Sequence, residues 1–170
     1  KMASIQSFSA VYSKPPKILI LGSIPGEASL KARQYYAHPR NAFWPIMQSH
    51  FGIGSELGYS EQLTALNHQG VALWDVLQRC ERSGSLDGNI VTASIEANPI
   101  DALLAAEPTI QAVLLNGGKA YSEFKKHFAS YLTNPNYSIQ QMPSTSPAYA
   151  AMPFNKKQEI WRQALADLGC

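Results

Sequence analysis

Residues 17–26 read KILILGSIPG, a short apolar run that leads directly into a loop of glycine, serine and proline. The apolar run predicts a buried strand, and the loop at 22–26 predicts a tight turn at the carboxyl end of that strand. The same pattern recurs at 71–74 before Asp75, at 110–115 before the NGG of 116–118, and at 137–142 before the PSTSP of 143–147. We therefore expect four buried strands that each end in a polar loop.

Helical patterns lie between these strands, at 42–51, 60–67, 98–107 and 119–128, and from Asn155 towards the carboxyl terminus. Asn41 and Asn155 are suitable N-cap residues for two of these helices, whereas residues 80–89, CERSGSLDGN, predict a loop. Short apolar strands that alternate with helices are typical of a parallel sheet covered on both faces. The prediction is an α/β fold, a three-layer α/β/α sandwich with a central, mainly parallel four-stranded sheet, in a single domain over residues 1–170.

The composition is that of an ordinary globular protein, with 45% hydrophobic and 15% charged residues. No apolar run approaches the roughly 18 residues that cross a bilayer, and the first residues lack the apolar stretch of a signal peptide, so a soluble, unexported chain with no membrane partner is expected. Cys80 and Cys170 are far apart and in no metal-ligand spacing. We expect no disulfide framework, structural zinc or iron–sulfur cluster.

Charge is unevenly distributed along the chain, although the formal net charge is only +2. Residues 1–50 contain six Lys/Arg and one Asp/Glu, residues 51–110 contain two and eight, and residues 111–170 contain six and three. If the two basic segments meet in the fold, they form a positive face that suits a nucleic acid. Solvated charges without a spatial pattern are the alternative.

The four polar loops are expected to meet, because ligands in open α/β sheets bind at the carboxyl ends of the strands. Simple turn formation is the alternative for each loop, since glycine and proline commonly follow a strand. The first loop is not a nucleophile elbow, because G-x-S-x-G would need glycine where Leu21 stands. Neither a dinucleotide-binding nor a P-loop glycine pattern occurs in the chain, so redox and nucleotide-hydrolysing functions lose their main support.

Polar side chains in two of these loops have the equipment to bind a nucleic acid. The Asn116 amide offers two donors and an acceptor and could read the edge of a base, although an asparagine here could equally end the strand in a turn. Ser144, Thr145 and Ser146 could donate to phosphate oxygens, or could simply cap a turn or helix.

The segment 35–44 adds a group of aromatic rings close to the first loop. Tyr36, Phe43 and Trp44 are each more typical of a core than of a binding site, and Trp44 most of all. A ring exposed in the cleft would nevertheless provide a stacking surface for an unpaired base.

Three stretches together resemble the uracil-DNA glycosylase superfamily. GSIPGEASLKARQYYAHPRNAFWPIM at 22–47 resembles its first motif region, VLLNGGKAY at 113–121 a strand that reads the base, and MPSTSPAYA at 142–150 its second motif. The form QYYAHPRNAFW, with WDVLQRCERSGSLD at 74–87, is most similar to the hypoxanthine-DNA (deoxyinosine) glycosylases. The resemblance extends from about Lys17 to Trp161 with the motifs in the same order.

The resemblance implies a set of catalytic residues. The mismatch-specific branch of the superfamily places a water-holding asparagine in the first loop, where this chain has Ser23 and Ile24. The catalytic role is therefore expected at Asn41 of the HPRN motif, because a neutral amide can orient the water that attacks C1′. Ser23 could contribute its hydroxyl, and His38 would orient Asn41 or contact a phosphate.

The resemblance also implies base and backbone contacts. Phe43 would stack on the flipped base and Asn116 would bond its polar edge. The remaining residues expected to contact the base are Tyr36 and Gly22. The residues expected to contact the DNA backbone are Ser144, Thr145, Ser146, Pro147 and Lys156.

The expected function is a monofunctional DNA glycosylase of base excision repair that hydrolyses the N-glycosidic bond of a deaminated base, with hypoxanthine in deoxyinosine first. The expected partner is double-stranded DNA containing such a base, with no metal, no other cofactor and no obligatory protein partner. A cytoplasmic monomer acting at the bacterial-type nucleoid is expected. The alternatives are a uracil or mismatch-specific glycosylase, a non-catalytic DNA-binding relative, and a small-molecule hydrolase, which no Ser-His-Asp spacing, paired carboxylate or metal cluster supports.

Overall fold

The computed structural model describes residues 3–170 as seven strands, six helices and three short 3₁₀ turns. The strands are β1 Ala3–Gln6, β2 Ile18–Gly22, β3 Val71–Asp75, β4 Leu77–Arg82, β5 Glu96–Ala97, β6 Ala112–Asn116 and β7 Ser138–Met142. The helices are α1 Glu27–Ala32, α2 Phe43–Phe51, α3 Tyr59–His68, α4 Ile100–Ala106, α5 Gly118–Phe128 and α6 Phe154–Asp167.

The central sheet has four parallel strands in the order β3-β2-β6-β7. All five residues of β2 are buried, and successive side chains enter the two opposite cores of the molecule. Leu19 and Leu21 pack in the core that contains α4 and α5, whereas Ile18 and Ile20 pack in the core that contains α2 and α6. The predicted three-layer sandwich with a parallel four-stranded sheet is confirmed.

A second, three-stranded antiparallel sheet in the order β1-β4-β5 was not predicted. Strand β4 follows the predicted strand at 71–74 closely and extends into the predicted loop at 80–89. The loop prediction is therefore wrong at residues 80–82. The sequence of β4, LQRCER, lacks an apolar run, and a register shift between Leu77 and Arg79 breaks the alternation of buried and exposed residues. Arg82 is nevertheless buried, because its guanidinium donates to the carbonyl oxygens of Gly84 (2.7 Å) and Pro25 (2.8 Å).

The two predicted N-caps differ from the observed helix starts. Helix α6 begins at Phe154 after Pro153, so the prediction of Asn155 as its N-cap is wrong. Helix α2 begins at Phe43, and Asn41 caps it from one residue further out, where its Oδ1 accepts from the backbone N–H of Phe43 at 2.9 Å. No helix within residues 3–170 is long and apolar enough to cross a membrane.

Candidate active site

The carboxyl ends of the parallel strands open into one cavity of about 1170 Å³. Its lining includes residues from all four predicted polar loops, namely Gly22–Gly26, Asp75, Asn116 with Gly118, and 143–147. It also includes Tyr36, His38 and Asn41 from the segment between α1 and α2. The expectation that these motifs meet at one edge of the sheet is confirmed. The cavity is larger than the roughly 300–1,000 Å³ of a typical small-molecule pocket, so it can hold a ring-sized ligand together with further groups attached to that ring.

Three residues form what we call the pocket floor: Gly22, Tyr36 and Asp75. Asp75 is only 4% exposed, and it pairs in register with Gly22 of the neighbouring strand. A Cβ atom added to Gly22 would lie 2.5 Å from Oδ1 of Asp75 and 3.2 Å from the hydroxyl of Tyr36. Glycine is therefore required at this position for the carboxyl and the hydroxyl to approach the same space.

Two polar atoms of the pocket floor lack hydrogen-bond partners. Oδ2 of Asp75 and the hydroxyl oxygen of Tyr36 are buried and make no hydrogen bond within residues 3–170. A buried polar group without a partner costs roughly 1–3 kcal/mol, so most proteins satisfy such groups internally. Two unsatisfied oxygens beside one cavity make the pocket floor the candidate contact for a bound ligand.

Burial also sets the protonation of the pocket floor. Burial raises the pKa of Asp75 to about 7, and the negative charge of Asp87 adds to that effect. Burial raises the pKa of the Tyr36 hydroxyl as well, with a further contribution from the charge of Asp75. Near neutral pH the neutral acid of Asp75 is therefore populated, and Tyr36 keeps its proton.

Tyr36 is held by its backbone and by its neighbours. Its φ angle is +56°, in the left-handed region that non-glycine residues seldom adopt, and the next residue, Ala37, donates its N–H to Ser29 Oγ at 3.1 Å. Its ring stacks on Phe43 with the ring centroids 4.1 Å apart and the planes 21° from parallel. The Tyr36 side chain is therefore fixed against the protein while its hydroxyl points to the space beside Gly22.

The predicted catalytic residues line the cavity with different hydrogen-bonding states. Asn41 uses Oδ1 to cap α2, whereas its Nδ2 makes no hydrogen bond within residues 3–170. His38 accepts the N–H of Arg40 at Nδ1 (3.0 Å), which leaves Nε2 to face other partners. Ser23 donates its hydroxyl to Oδ1 of Asp87 at 2.7 Å.

Five residues form what we call the loop wall: Asn116, Ser144, Thr145, Ser146 and Pro147. The Asn116 amide bonds Thr145 twice, accepting its backbone N–H at 2.9 Å and donating to its hydroxyl at 3.0 Å. Ser144 Oγ accepts the N–H of Ser146 (3.2 Å), and Ser146 Oγ accepts that of Ala148 (3.1 Å). The polar groups of the loop wall are largely satisfied within the protein.

Residues 10–169 match the family model of the uracil DNA glycosylase superfamily. The chain belongs to this superfamily. It is 31% identical over 155 residues to a hypoxanthine DNA glycosylase of Methanosarcina acetivorans, covering 91% of this chain and 94% of that protein. It is 37% identical over 116 residues to a hypoxanthine DNA glycosylase of Methanosarcina barkeri, covering 68% and 72%. The solution structure of a candidate uracil DNA glycosylase from Methanosarcina acetivorans matches with a TM-score of 0.81 and 29% identity, covering 99% of this chain and 100% of that one.

Within this member of the uracil DNA glycosylase superfamily, two predicted contacts, those of Phe43 and Thr145, do not fit the observed geometry. Phe43 has no exposed surface and lies beneath the ring of Tyr36, so it cannot itself stack on a base. Thr145 is 1% exposed and bonded to Asn116, so its hydroxyl does not face a phosphate. Lys156 lies outside the cavity lining, where it forms an exposed ion pair with Glu159 at 3.6 Å, and its contact with the DNA backbone stays a prediction.

Two carboxyl groups were missed as site residues of this superfamily member. The sequence predicts Asp75 at the edge of the sheet without a functional role, and around Asp87 it predicts only a loop. Both line the cavity, together with the rest of the segment 85–89. The position of Asp75 directly after a predicted buried strand could have identified it as a site residue. Asp87 follows β4, and the polar sequence of β4 gives no strand pattern from which its position could be predicted.

Proposed function

We propose that the protein is a monofunctional DNA glycosylase that removes a deaminated base, hypoxanthine first, from double-stranded DNA. The observation that carries the proposal is the pocket floor, where two buried oxygens without partners line the same cavity as Asn41, whose amide nitrogen Nδ2 makes no hydrogen bond within residues 3–170. The relatives named hypoxanthine DNA glycosylase support the choice of base.

In this proposal each group has a defined part in the reaction. The base leaves the helix and enters the cavity, where Tyr36 and Asp75 bond its polar atoms, and Tyr36 rather than Phe43 provides the aromatic contact. Asn41 Nδ2 lies free to bond and orient a water towards C1′, and His38 supports that side of the cavity. Orienting the water lowers the activation barrier substantially, because a reactant held in place reacts as if its concentration were far higher than any reached in solution.

The reaction is a hydrolysis that leaves the DNA backbone intact. The water oxygen bonds to C1′, the bond from C1′ to the base nitrogen breaks, and its electron pair goes to the base. Within residues 3–170 no lysine lines the cavity, which supports hydrolysis over attack by a lysine amine. We propose that the enzyme acts without a metal or other cofactor, as a cytoplasmic monomer in base excision repair with no obligatory protein partner.

Excision from duplex oligonucleotides tests the proposal. We expect enzyme in excess, in the presence of a chelator, to release hypoxanthine from deoxyinosine and to leave a site that breaks only after alkali. Parallel duplexes with uracil or xanthine rank the substrates, and faster release of uracil would favour the uracil-specific alternative that the structural neighbour's name suggests. Intact strands after alkali with every base would contradict the glycosylase function.

A further inference from the structure

The pocket floor contains two oxygens that can each donate a hydrogen bond. Asp75 forms no ion pair within residues 3–170, and the charge that acts on it is the negative one of Asp87. A buried carboxylate without a cation nearby is strongly disfavoured relative to the neutral acid. A hydrogen on Oδ2 of Asp75 has no acceptor within residues 3–170, and the Tyr36 hydroxyl, although it lies near the Asn116 side chain, makes no hydrogen bond of good geometry there.

Two unused donors require a ligand with acceptors. When the bond from C1′ to a base breaks, the base takes the electron pair and its carbonyl oxygens and ring nitrogens become stronger acceptors. Donors aimed at these atoms therefore stabilise the transition state more than the bound substrate, which is the condition for faster chemistry. Deaminated bases suit this floor, since they carry a carbonyl where adenine and cytosine carry an amino donor.

On the basis of the proposed glycosylase function, we propose that Asp75 acts as a neutral carboxylic acid that donates its hydrogen to the departing base, beside the Tyr36 hydroxyl. In this role Asp75 is a catalytic residue, and the ionised form is inactive because its charge repels the anionic base. The geometry around Gly22 is the basis, because it brings the carboxyl and the hydroxyl to the same space at the bottom of the cavity.

The step balances without a further reactant. Water adds its oxygen to C1′ and releases one proton, while the base accepts the electron pair of the broken bond. Asp75 transfers its proton to the departing base, which leaves neutral, and the proton that the water releases passes through the solvent of the cavity to the Asp75 carboxylate and restores the acid. No oxidant, reductant or metal is needed for this exchange.

The ionisable groups around Asp75 define its response to pH. Asp87 lines the same cavity, accepts a hydrogen bond from Ser23, and its negative charge acts on Asp75. Tyr35 and Tyr36, from the segment between α1 and α2, line the cavity as well, and the charge of Asp75 raises the pKa of both. His38 lines the same cavity. Both tyrosines stay protonated through the range in which Asp75 titrates, because burial raises the pKa of each.

Single-turnover excision between pH 5.5 and 9 with saturating enzyme tests this role. Since Asp75 loses its proton with a pKa of about 7, we expect the parent rate on deoxyinosine to fall about tenfold per pH unit at the alkaline end. Asp75→Asn keeps the size and an N–H donor but cannot ionise, so its rate should be lower at pH 6 and nearly constant to pH 9. Asp75→Ala should lose rate at every pH.

Asp87→Asn provides a variant that shifts the profile without removing the acid. Removing the Asp87 charge lowers the pKa of Asp75, so the fall in rate should begin at a lower pH than in the parent. A shift to higher pH, or a parent rate that stays level to pH 9, overturns the role of Asp75. So does an alkaline fall that persists in Asp75→Asn.

A titration of the free protein separates this inference from the glycosylase proposal. The chain has four aspartates, Asp75, Asp87, Asp101 and Asp167, whose carboxyl carbons can be followed by NMR after ¹³C labelling. One resonance should titrate near pH 7 and disappear in Asp75→Asn, whereas titration of Asp75 near 4 overturns the inference. Failure to excise any base, with that titration intact, would instead overturn the glycosylase function and the donation that rests on it.

Discussion

The pocket floor and the loop wall line the same cavity but differ in how their polar groups are satisfied. In the loop wall, Asn116 and Thr145 bond each other twice and the serines bond neighbouring backbone N–H groups. In the pocket floor, Asp75 Oδ2 and the Tyr36 hydroxyl have no partner within residues 3–170. Unsatisfied buried groups destabilise a fold. The protein itself satisfies the polar groups of the loop wall, and we propose that a bound base satisfies those of the pocket floor.

This difference separates two kinds of mutational effect. Removing the unpartnered polar groups of Asp75 or Tyr36 should affect excision while leaving the free energy of unfolding unchanged or higher, because no hydrogen bond within the protein is lost. A wall residue should affect the free energy of unfolding first. Measuring both quantities for each variant therefore tests the comparison directly.

The largest effect on excision is expected at Asn41. Its side chain has one satisfied atom, Oδ1, which caps α2, and one atom without a partner within residues 3–170, Nδ2. Asn41→Ala should lower the single-turnover rate by on the order of 10–1000-fold with little change in DNA affinity, as for a group that acts mainly in the transition state. The lost cap of α2 should cost about 0.5–2 kcal/mol of stability. Asn41→Ser retains a capping oxygen but not the amide, so it should recover the stability and not the rate. A near-normal rate in Asn41→Ala would transfer the role to Ser23 or His38.

The next largest effect on excision is expected at Tyr36, and its neighbour Tyr35 provides a matched control. Tyr36→Phe keeps the stacking on Phe43 and removes a hydroxyl without a partner, so the rate should fall about tenfold while stability is not reduced. The Tyr35 hydroxyl donates to the carbonyl of Ser9 at 2.8 Å. Tyr35→Phe should therefore lose about 1 kcal/mol of stability and little rate. Urea unfolding and single-turnover excision measure the two quantities, and the reverse pattern would invalidate the comparison.

Asn116 tests the loop wall. Asn116→Ala leaves the backbone N–H of the buried Thr145 without its acceptor, and we expect a stability loss of about 1–3 kcal/mol in urea unfolding. Thr145→Val, which removes only the hydroxyl, should lose less. A changed ranking of hypoxanthine, uracil and xanthine by Asn116→Ala, with stability intact, would restore its predicted part in reading the base.

The smallest effects concern the contacts with the DNA backbone. We expect the logarithm of DNA affinity to fall with the logarithm of salt concentration with a slope of roughly −3 to −5, the value for about four phosphate contacts. Ser144→Ala with Ser146→Ala should weaken binding without changing that slope, because hydroxyl contacts displace few counterions. Lys156→Ala should flatten it by about one unit. A parent slope near zero would contradict backbone binding, and an unchanged slope in Lys156→Ala would assign that lysine to the solvated surface.

The parallel sheet and its cavity were predictable because both follow from local patterns. Apolar runs followed by polar loops mark buried parallel strands, and the topology brings their carboxyl ends together whatever the loops contain. The second sheet was not predictable in this way. Strand β4 carries Gln78, Arg79 and Glu81 on a surface, and the burial of Arg82 depends on carbonyl groups that only the folded loops supply.

The chemical state of individual site residues was also beyond sequence patterns. The order of rings in the segment 35–44 does not reveal that Tyr36 covers Phe43, because the left-handed backbone of Tyr36 sets that arrangement. The spacing of Asn116 and Thr145 along the chain does not indicate their mutual bonds. The protonation of Asp75 depends on burial and on Asp87, which lies on another loop.

Arg82 holds two loops beside the cavity in a fixed arrangement, and this affects how fast a ligand can enter. Its guanidinium joins the carbonyl of Pro25, in the loop after β2, to that of Gly84, in the loop after β4, and so fixes one side of the entrance. Fixing a backbone residue costs roughly 1–2 kcal/mol, and here that ordering is completed during folding rather than at each encounter. For the proposed glycosylase, we expect an entrance already in shape to accept a nucleotide as soon as it leaves the helix. The opening of the DNA, and not a closing movement of this side of the protein, should then limit how often a base is sampled.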